Sequence, residues 1–113
     1  MRPSMRVYLY DSEGLRFFGE GPCRLLHGVD ELGSLRAAAL SMGMAYTKAI
    51  ALLRHAETAL GFPLTRKTIG GRGGGGSMLT PEAREFLRKY EQYRDACAAA
   101  NRRIYDEVFG HGE

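Results

Sequence analysis

The sequence has only two cysteines, no long apolar run and almost no acidic residue between positions 34 and 77. Cys23 and Cys97 lie far apart and lack CxxC spacing, which excludes a dense disulfide scaffold and a cysteine-based metal motif. No apolar stretch approaches the roughly 18 to 20 residues that span a bilayer. The first residues also lack the apolar core of a signal peptide. We therefore expect a cytoplasmic protein with reduced thiols and no membrane association.

Motifs of catalysis are also missing. A glycine-rich run occupies positions 70–76, but Ser77 follows it without the lysine that a P-loop requires. The kinase-type glycine pattern has no catalytic lysine and no HRD-like stretch beside it. The histidines, which are His27, His55 and His111, show neither metal-ligand spacing nor a paired acid. We therefore expect no enzymatic activity, no cofactor and no metal.

The composition is that of one ordinary folded domain. The chain has 113 residues, of which 44% are hydrophobic and 26% are charged. A chain of this length buries roughly two-thirds of the surface that its unfolded form exposes, which is enough for one modest core. We therefore expect a single domain over 1–113.

The net charge of +3 is unevenly distributed along the chain. Between Ser34 and Ser77, six basic residues accompany the single acid Glu57, so this segment carries +5 and the remainder carries −2. Lysines and arginines that neutralise phosphates release counterions, so a segregated basic patch favours a polyanion as partner. A basic face that contacts only solvent is the alternative.

The first third of the chain predicts a β-hairpin and a helix. Residues 5–18 alternate apolar and polar side chains on either side of a turn at 11–14, as a hairpin does. From position 22, Cys23, Leu26 and Val29 follow at helical spacing until Gly33 ends the pattern. The hairpin is expected to cover part of the core or a partner.

Two further helices complete a helix-turn-helix core over 22–60. Ser34 is a good N-cap for the second helix, and Gly43 ends that helix in a tight turn. The third helix begins near Ala45, which is a poor N-cap where Ser or Asp would be expected. Two short helices joined at such a turn are typical of a helix-turn-helix.

Residues 64–79 predict a wing, which is a two-stranded ribbon with a loop at its tip. Segments 64–69 and 77–79 are the strands, and the loop between them holds six glycines around Arg72. Glycines at this density permit a close approach of the backbone to another surface. Such a loop can lie against a sugar-phosphate wall or enter a minor groove. A flexible loop without a binding role is the alternative.

A long helix is predicted over 80–108, with Thr80 as its N-cap and Pro81 at its first position. At 1.5 Å per residue it is roughly 40 Å long, which exceeds what this domain alone needs. An apolar seam with 4-3-4-3-4 spacing runs along it from Phe86. We expect a homodimer whose interface contains Tyr90, Tyr93, Cys97, Ala100 and Ile104. A helix that folds back on its own hairpin and first helix is the alternative.

Together these elements predict a mainly α fold with a small amount of β. The architecture is a winged helix-turn-helix with an N-terminal β-hairpin and a long C-terminal dimerisation helix. Four stretches resemble the N-terminal domain of ModE-type molybdate-responsive transcriptional regulators: Gly33-Ser34-Leu35 with Ala38-Ala39, Met42-Gly43-Met44-Ala45-Tyr46, the glycine run, and Leu79-Thr80. Leu60-Gly61-Phe62-Pro63-Leu64 with Leu79-Thr80 is also similar to the broader LysR-type DNA-binding domains.

The resemblance covers nearly the whole chain and implies a dimeric winged helix that binds a palindromic DNA operator. Two positions depart from the family pattern, since Ala45 stands where a serine is usual and Ile50 where an aromatic residue is common. Because the sequence ends at Glu113, neither a molybdate-binding domain nor bound molybdate is expected.

In a helix-turn-helix the N-terminal part of the second helix of the motif meets base edges in the major groove. The candidate DNA contacts are Ser34, Tyr46, Thr47, Lys48, Ala51, Arg54, Arg66, Lys67, Arg72 and Gly73. For Tyr46 the alternative is simple packing, and for Ser34 it is a plain capping role. The predicted function is that of a sequence-specific DNA-binding transcriptional regulator. The alternatives are a protein-interaction module that heterodimerises with a full-length regulator and a non-specific architectural DNA binder.

Overall fold

A computed structural model describes residues 1–69 and 76–110 of the chain. The described residues form two antiparallel two-stranded sheets and four helices. In chain order the elements are β1 (Leu9–Tyr10), β2 (Arg16–Phe18), α1 (Glu20–Leu32), α2 (Leu35–Ser41), α3 (Tyr46–Leu60), β3 (Thr65–Thr68), β4 (Gly76–Leu79) and α4 (Pro81–Phe109). The predicted mainly α fold with small β is therefore confirmed. Within these residues no helix is both long and apolar enough to cross a membrane.

The helix-turn-helix is formed by α2 and α3, and its local signals lie in the sequence. Ser34 caps α2, since its Oγ accepts a hydrogen bond from the amide of Ala37 at 3.1 Å. Gly43 has a φ of 65°, a left-handed conformation that suits the tight turn between the two helices. Ala45 precedes α3 and gives it no side-chain cap, as expected. Local capping and one glycine therefore set where these helices start and stop.

The core lies where α1, α2 and α3 meet under the first hairpin. Its largest fully buried side chains are Phe18, Leu25, Leu26, Leu64, Leu79, Val29 and Cys23. A Cβ added at Gly28 on α1 would lie 2.8 Å from the Cβ of Ala38, so this glycine and alanine allow α1 and α2 to approach closely. Gly28 and Ala38 therefore set the position of α2 against α1. The position of α2 in turn sets where α3 begins.

The N-terminal hairpin is shorter than the predicted span of 5–18. Pairing begins only at Leu9, which lies opposite Phe18, because α1 begins at Glu20 and leaves residues 5–8 without a partner strand. The carbonyl of Val7 instead accepts a hydrogen bond from the hydroxyl of Tyr90 at 2.8 Å. The carboxylate of Asp11 organises the turn by accepting hydrogen bonds from the amides of Glu13 and Leu15, each at 2.9 Å. The Leu15 amide and, more weakly, His55 hold the pKa of Asp11 below its usual value.

The wing and the long helix share a junction at Thr80. Strands β3 and β4 pair from Thr65 opposite Leu79 to Thr68 opposite Gly76. Thr80 then caps α4, because its hydroxyl accepts from the amide of Ala83 at 3.0 Å and donates to the carbonyl of Pro63 at 2.7 Å. The same side chain therefore begins α4 and fixes the start of the wing.

The apolar seam predicted on α4 has two parts. One part packs in the core, and the other lies at the surface of the chain. Tyr90 was placed in the dimer interface, but its side chain is only 3% exposed and its ring packs edge-on against Phe18 at 4.8 Å. That assignment is wrong, because the N-terminal segment and the hairpin already cover Tyr90. Tyr93 and Ile104 are exposed, at 56% and 50%. Cys97 and Ala100 are half-buried.

Candidate nucleic-acid interface

The outer face of α3 carries an exposed stripe. Ala49, Leu53 and Ala56 are buried toward the core, whereas Thr47, Ala51 and Arg54 are exposed on the opposite side. Residues spaced three and four apart share one helix face, so these three side chains form a continuous stripe. Three of the predicted contact residues therefore lie together on the surface.

One flank of α3 faces the wing. A hollow of about 380 Å³ between α3 and β3 is lined in part by Arg54, Arg66 and Lys67. Tyr46 also borders it and is half-buried, with the guanidinium of Arg36 stacked 4.0 Å from its ring centroid. Tyr46 therefore has a packing role, and it holds Arg36 in place at the surface.

The opposite flank of α3 faces the N-terminal hairpin. Lys48 lies there with His55 beside a second hollow, which Arg6 and Arg16 of the hairpin region also line. Lys48 therefore points away from the wing, although both were predicted to contact DNA. The structure divides the predicted basic residues between two sides of one helix.

Ser34 lies beside the wing, in a hollow that it shares with Arg36, Tyr46 and Lys67. The wing is attached to this region because the amide of Ser77 donates to the carbonyl of Gly33 at 2.8 Å. Ser34 fulfils its capping role, and a phosphate contact by its hydroxyl remains a prediction. Arg72 and Gly73 lie outside the described residues.

Ion pairs are concentrated on α4, away from α3. The guanidinium of Arg84 lies 2.7 Å from Asp30, and Arg94 lies 3.6 Å from Glu20 and 3.8 Å from Glu91. The basic residues around α3 make no ion pair with any other residue in the described ranges. These are Arg36, Lys48, Arg54, Arg66 and Lys67, and we call them the basic face. Their charge is not offset by a bonded acid, so it is available to an external anion.

The single acid in this part of the sequence has a structural role. Glu57 accepts a hydrogen bond from the amide of Leu64 at 2.8 Å, which ties α3 to the residue that precedes β3. The carboxylate is thereby held at the base of the wing, where Glu57 lines the same hollow as Arg54, Arg66 and Lys67 without forming an ion pair with them. The basic face therefore keeps a net positive charge, because its five cations outnumber this one carboxylate.

Three arginines near this surface, Arg6, Arg16 and Arg36, are not among the contact residues predicted from the sequence. Arg36 was counted in the charge of the central segment, but its position over Tyr46 could not be derived from spacing. Arg6 and Arg16 alternate with apolar residues in the hairpin region and meet Lys48 only in the folded chain. The sequence signal for Arg6 and Arg16 was that both occupy polar positions of the alternating hairpin pattern, which indicates exposed side chains.

A separate cluster joins α1 to α4. Potential metal-ligand atoms of Cys23, His27 and Glu91 all lie within 4.8 Å of one another, although their sequence spacing did not indicate this. Burial raises the pKa of the Cys23 thiol to about 11, and the carboxylates of Glu91 and Glu20 add to the shift. The guanidinium of Arg94 lies 4.0 Å from the sulfur. The neighbouring guanidinium disfavours a second cation at this position.

Comparison with known proteins agrees with this architecture. No protein-family model matches the chain. The domain CbnR_DBD, solved in a crystal structure of a CbnR_DBD-DNA complex, superposes with a TM-score of 0.60 over 78% of this chain and 95% of that chain. At 18% identity this similarity establishes the fold. Over 77 residues, or 68% of the chain, the sequence is 36% identical to the molybdenum transport protein ModE of Herbaspirillum seropedicae.

The chain is a ModE-type winged helix-turn-helix domain. The aligned part of this ModE-type domain corresponds to 27% of the length of the Herbaspirillum relative.

Proposed function

We propose that this domain binds duplex DNA as a sequence-specific transcriptional regulator. The observation that carries the proposal is the basic face, whose cations surround α3 and have no ion-pair partner in the described part of the chain. The structural neighbour CbnR_DBD was solved in complex with DNA. An α-helix fits the major groove, which makes α3 the element that contacts base edges.

The exposed stripe of α3 is assigned to base contacts. Thr47 offers a hydroxyl for a hydrogen bond and a methyl group for thymine, and Arg54 offers a guanidinium for guanine or phosphate. Ala51 leaves room for a base edge between them. Sequence preference therefore depends mainly on these three residues.

The wing is assigned to the DNA backbone. Arg66 and Lys67 are exposed on β3 beside α3, where they are available to phosphates. For Arg72 and Gly73 the proposal rests on the sequence, in which a glycine loop allows the arginine to approach the minor groove. Arg72→Ala is expected to weaken binding to all DNA sequences and to reduce the salt dependence by about one phosphate contact.

The domain is proposed to act as a homodimer through α4. Tyr93, Cys97, Ala100 and Ile104 share one face of this helix beyond the part that packs on the core, and Val108, which is 68% exposed, extends it. A two-fold axis between two such helices would place the α3 helices in successive major grooves about 34 Å apart. The preferred site is therefore an inverted repeat.

Selection of bound sequences from a random duplex pool, at two salt concentrations, tests this proposal. We expect inverted repeats to be enriched. Arg54→Ala should then weaken binding to the selected site by about 1 to 3 kcal/mol and relax its sequence preference. Arg102→Ala is the matched control, because Arg102 is an exposed arginine on α4 and should leave the affinity unchanged.

The alternatives give different results in the same assays. Tight binding without preference for any sequence would indicate an architectural DNA binder. Absence of DNA binding, together with capture of a full-length regulator in a pull-down, would indicate a heterodimerising module. Equal effects of Arg54→Ala and Arg102→Ala would contradict the placement of α3 on DNA.

A further inference from the structure

The hairpin side of α3 has the features of a second phosphate-binding surface. Arg6, Arg16, Lys48 and His55 line one hollow of about 350 Å³ between the N-terminal residues, β2 and α3. The side chains of Arg6, Arg16 and Lys48 are exposed. We call these three residues the hairpin cations.

The hollow has an excess of positive charge, since three cations line it together with one acid, Glu20. None of the hairpin cations makes an ion pair with another residue of the described ranges. The carboxylate of Glu20, which also lines the hollow, lies 3.6 Å from Arg94, and that of Asp11 bonds to His55 at 3.4 Å. The guanidinium of Arg16 lies 4.3 Å from the ring centroid of Tyr8, so its position is restrained by stacking. The hollow therefore presents three cations, one of them held in place, to an incoming anion.

The position of the hollow indicates which anion it meets. On a helix that turns 100° per residue, Lys48 and His55 lie on one side of the Thr47–Ala51–Arg54 stripe, and Tyr46 and Ile50 lie on the other, next to the wing. A helix is about 10 to 12 Å in diameter and the major groove about 12 Å wide, so a seated helix has a phosphate wall on each side. The wing faces one wall, and the hairpin faces the other.

We infer that the hairpin cations bind the DNA backbone on the strand opposite to the one that the wing contacts. This inference rests on the proposed function, because it requires α3 to occupy a major groove. It gives the N-terminal hairpin a binding role in addition to covering the core. The two sets of cations would hold α3 between the groove walls and restrict its depth and rotation.

The salt dependence of DNA affinity tests this inference. We would compare wild type with the double variant Arg6→Ala/Arg16→Ala by fluorescence anisotropy on a duplex carrying the selected site and on an unrelated duplex. Each phosphate contact contributes about 0.9 to the slope of log K against log salt concentration, so the slope should fall by about 1.8 per protomer. Affinity should fall by the same factor on both duplexes, because phosphate contacts carry no sequence information.

The matched control is the double variant Arg24→Ala/Arg102→Ala. It removes the same charge from two exposed arginines on α1 and α4, neither of which forms an ion pair within the described residues. We expect this control to keep the wild-type slope. Arg6→Lys/Arg16→Lys should also keep it, since lysine still binds phosphate as a point charge.

Failure of the inference can be distinguished from failure of the proposed function. If wild type binds DNA with a steep salt dependence and the two alanine double variants have equal slopes, the hairpin does not touch the backbone. If wild type binds no DNA, the proposed function fails and this inference fails with it. Thermal melting of every variant checks that a smaller slope of log K against log salt concentration does not arise from unfolding.

Discussion

At the scale of single residues, Thr80 joins two elements that have different roles. Its hydroxyl accepts from the amide of Ala83 and donates to the carbonyl of Pro63, and the residue is 5% exposed. Its own amide donates to the carbonyl of Leu64 at 3.1 Å. A single buried threonine thus starts the long helix and anchors the wing.

Thr80→Ala should lower the free energy of unfolding by about 1 to 3 kcal/mol, because it removes an N-cap and leaves the Pro63 carbonyl without its hydroxyl partner. Thr58→Ala is the control, since Thr58 is an exposed helical residue whose hydroxyl bonds only to the carbonyl of Arg54. Urea denaturation measures the free energy of unfolding of both variants. Similar losses in the two variants would contradict the role assigned to Thr80.

The buried thiol of Cys23 should react slowly with iodoacetamide. The thiolate is the nucleophile, and burial raises the pKa of Cys23 to about 11, so little thiolate exists at neutral pH. In the Cys97→Ser variant the alkylation rate should be low and should increase as pH rises toward 11. Stability should fall over the same range, because the unfolded thiol ionises first.

Unfolding provides the control for this prediction. In denaturant the Cys97→Ser variant should react at the rate of a free thiol. Fast alkylation of the native Cys97→Ser variant at neutral pH would show that Cys23 is not buried against α4.

At the scale of elements, local signals explain which boundaries were predictable from sequence. Ser34 and Thr80 cap their helices within three residues, so the starts of α2 and α4 follow from adjacent side chains. The burial of Tyr90 was not predictable, because a 4-3 apolar spacing marks a core contact and a dimer seam equally. Its partner Val7 lies 83 positions away in the chain.

The packing of α1 on α2 depends on a glycine with no room for a side chain. Gly28→Ala would place a Cβ 2.8 Å from the Cβ of Ala38, and we expect a loss of about 1 to 3 kcal/mol in stability despite the better helix propensity of alanine. Gly21→Ala on the same helix is the control, because nothing lies within 4 Å of the added atom. Thermal melting should show a lower melting temperature for Gly28→Ala alone. Equal melting temperatures would contradict the close approach of the two helices.

At the scale of the whole molecule, charge separates into two regions. Basic residues on α4 other than Arg102 pair with acids, whereas those of the basic face make no ion pair within the described residues. The sequence revealed the excess of positive charge between positions 34 and 77. It could not reveal how Lys48 and Lys67 divide between the two sides of α3, since that depends on the placement of the hairpin and the wing.

The free end of α4 should form the dimer. Ile104→Glu places a charge on the exposed apolar face and should convert the protein to monomer at micromolar concentration. Leu40→Glu is the control, because Leu40 is 78% exposed on α2, away from that face, and this variant should stay dimeric. Light scattering coupled to size exclusion measures the mass. A monomeric wild type would contradict the dimer.

The central claim is that α3 and its flanking cations meet the duplex. The most direct test is to titrate the isotope-labelled protein with the selected duplex and to follow its backbone amide resonances. We predict shifts on α3, β3 and the hairpin, including Arg54, Lys67 and Arg16, with little change in the C-terminal half of α4. Shifts concentrated on α4 with none on α3 would contradict the account.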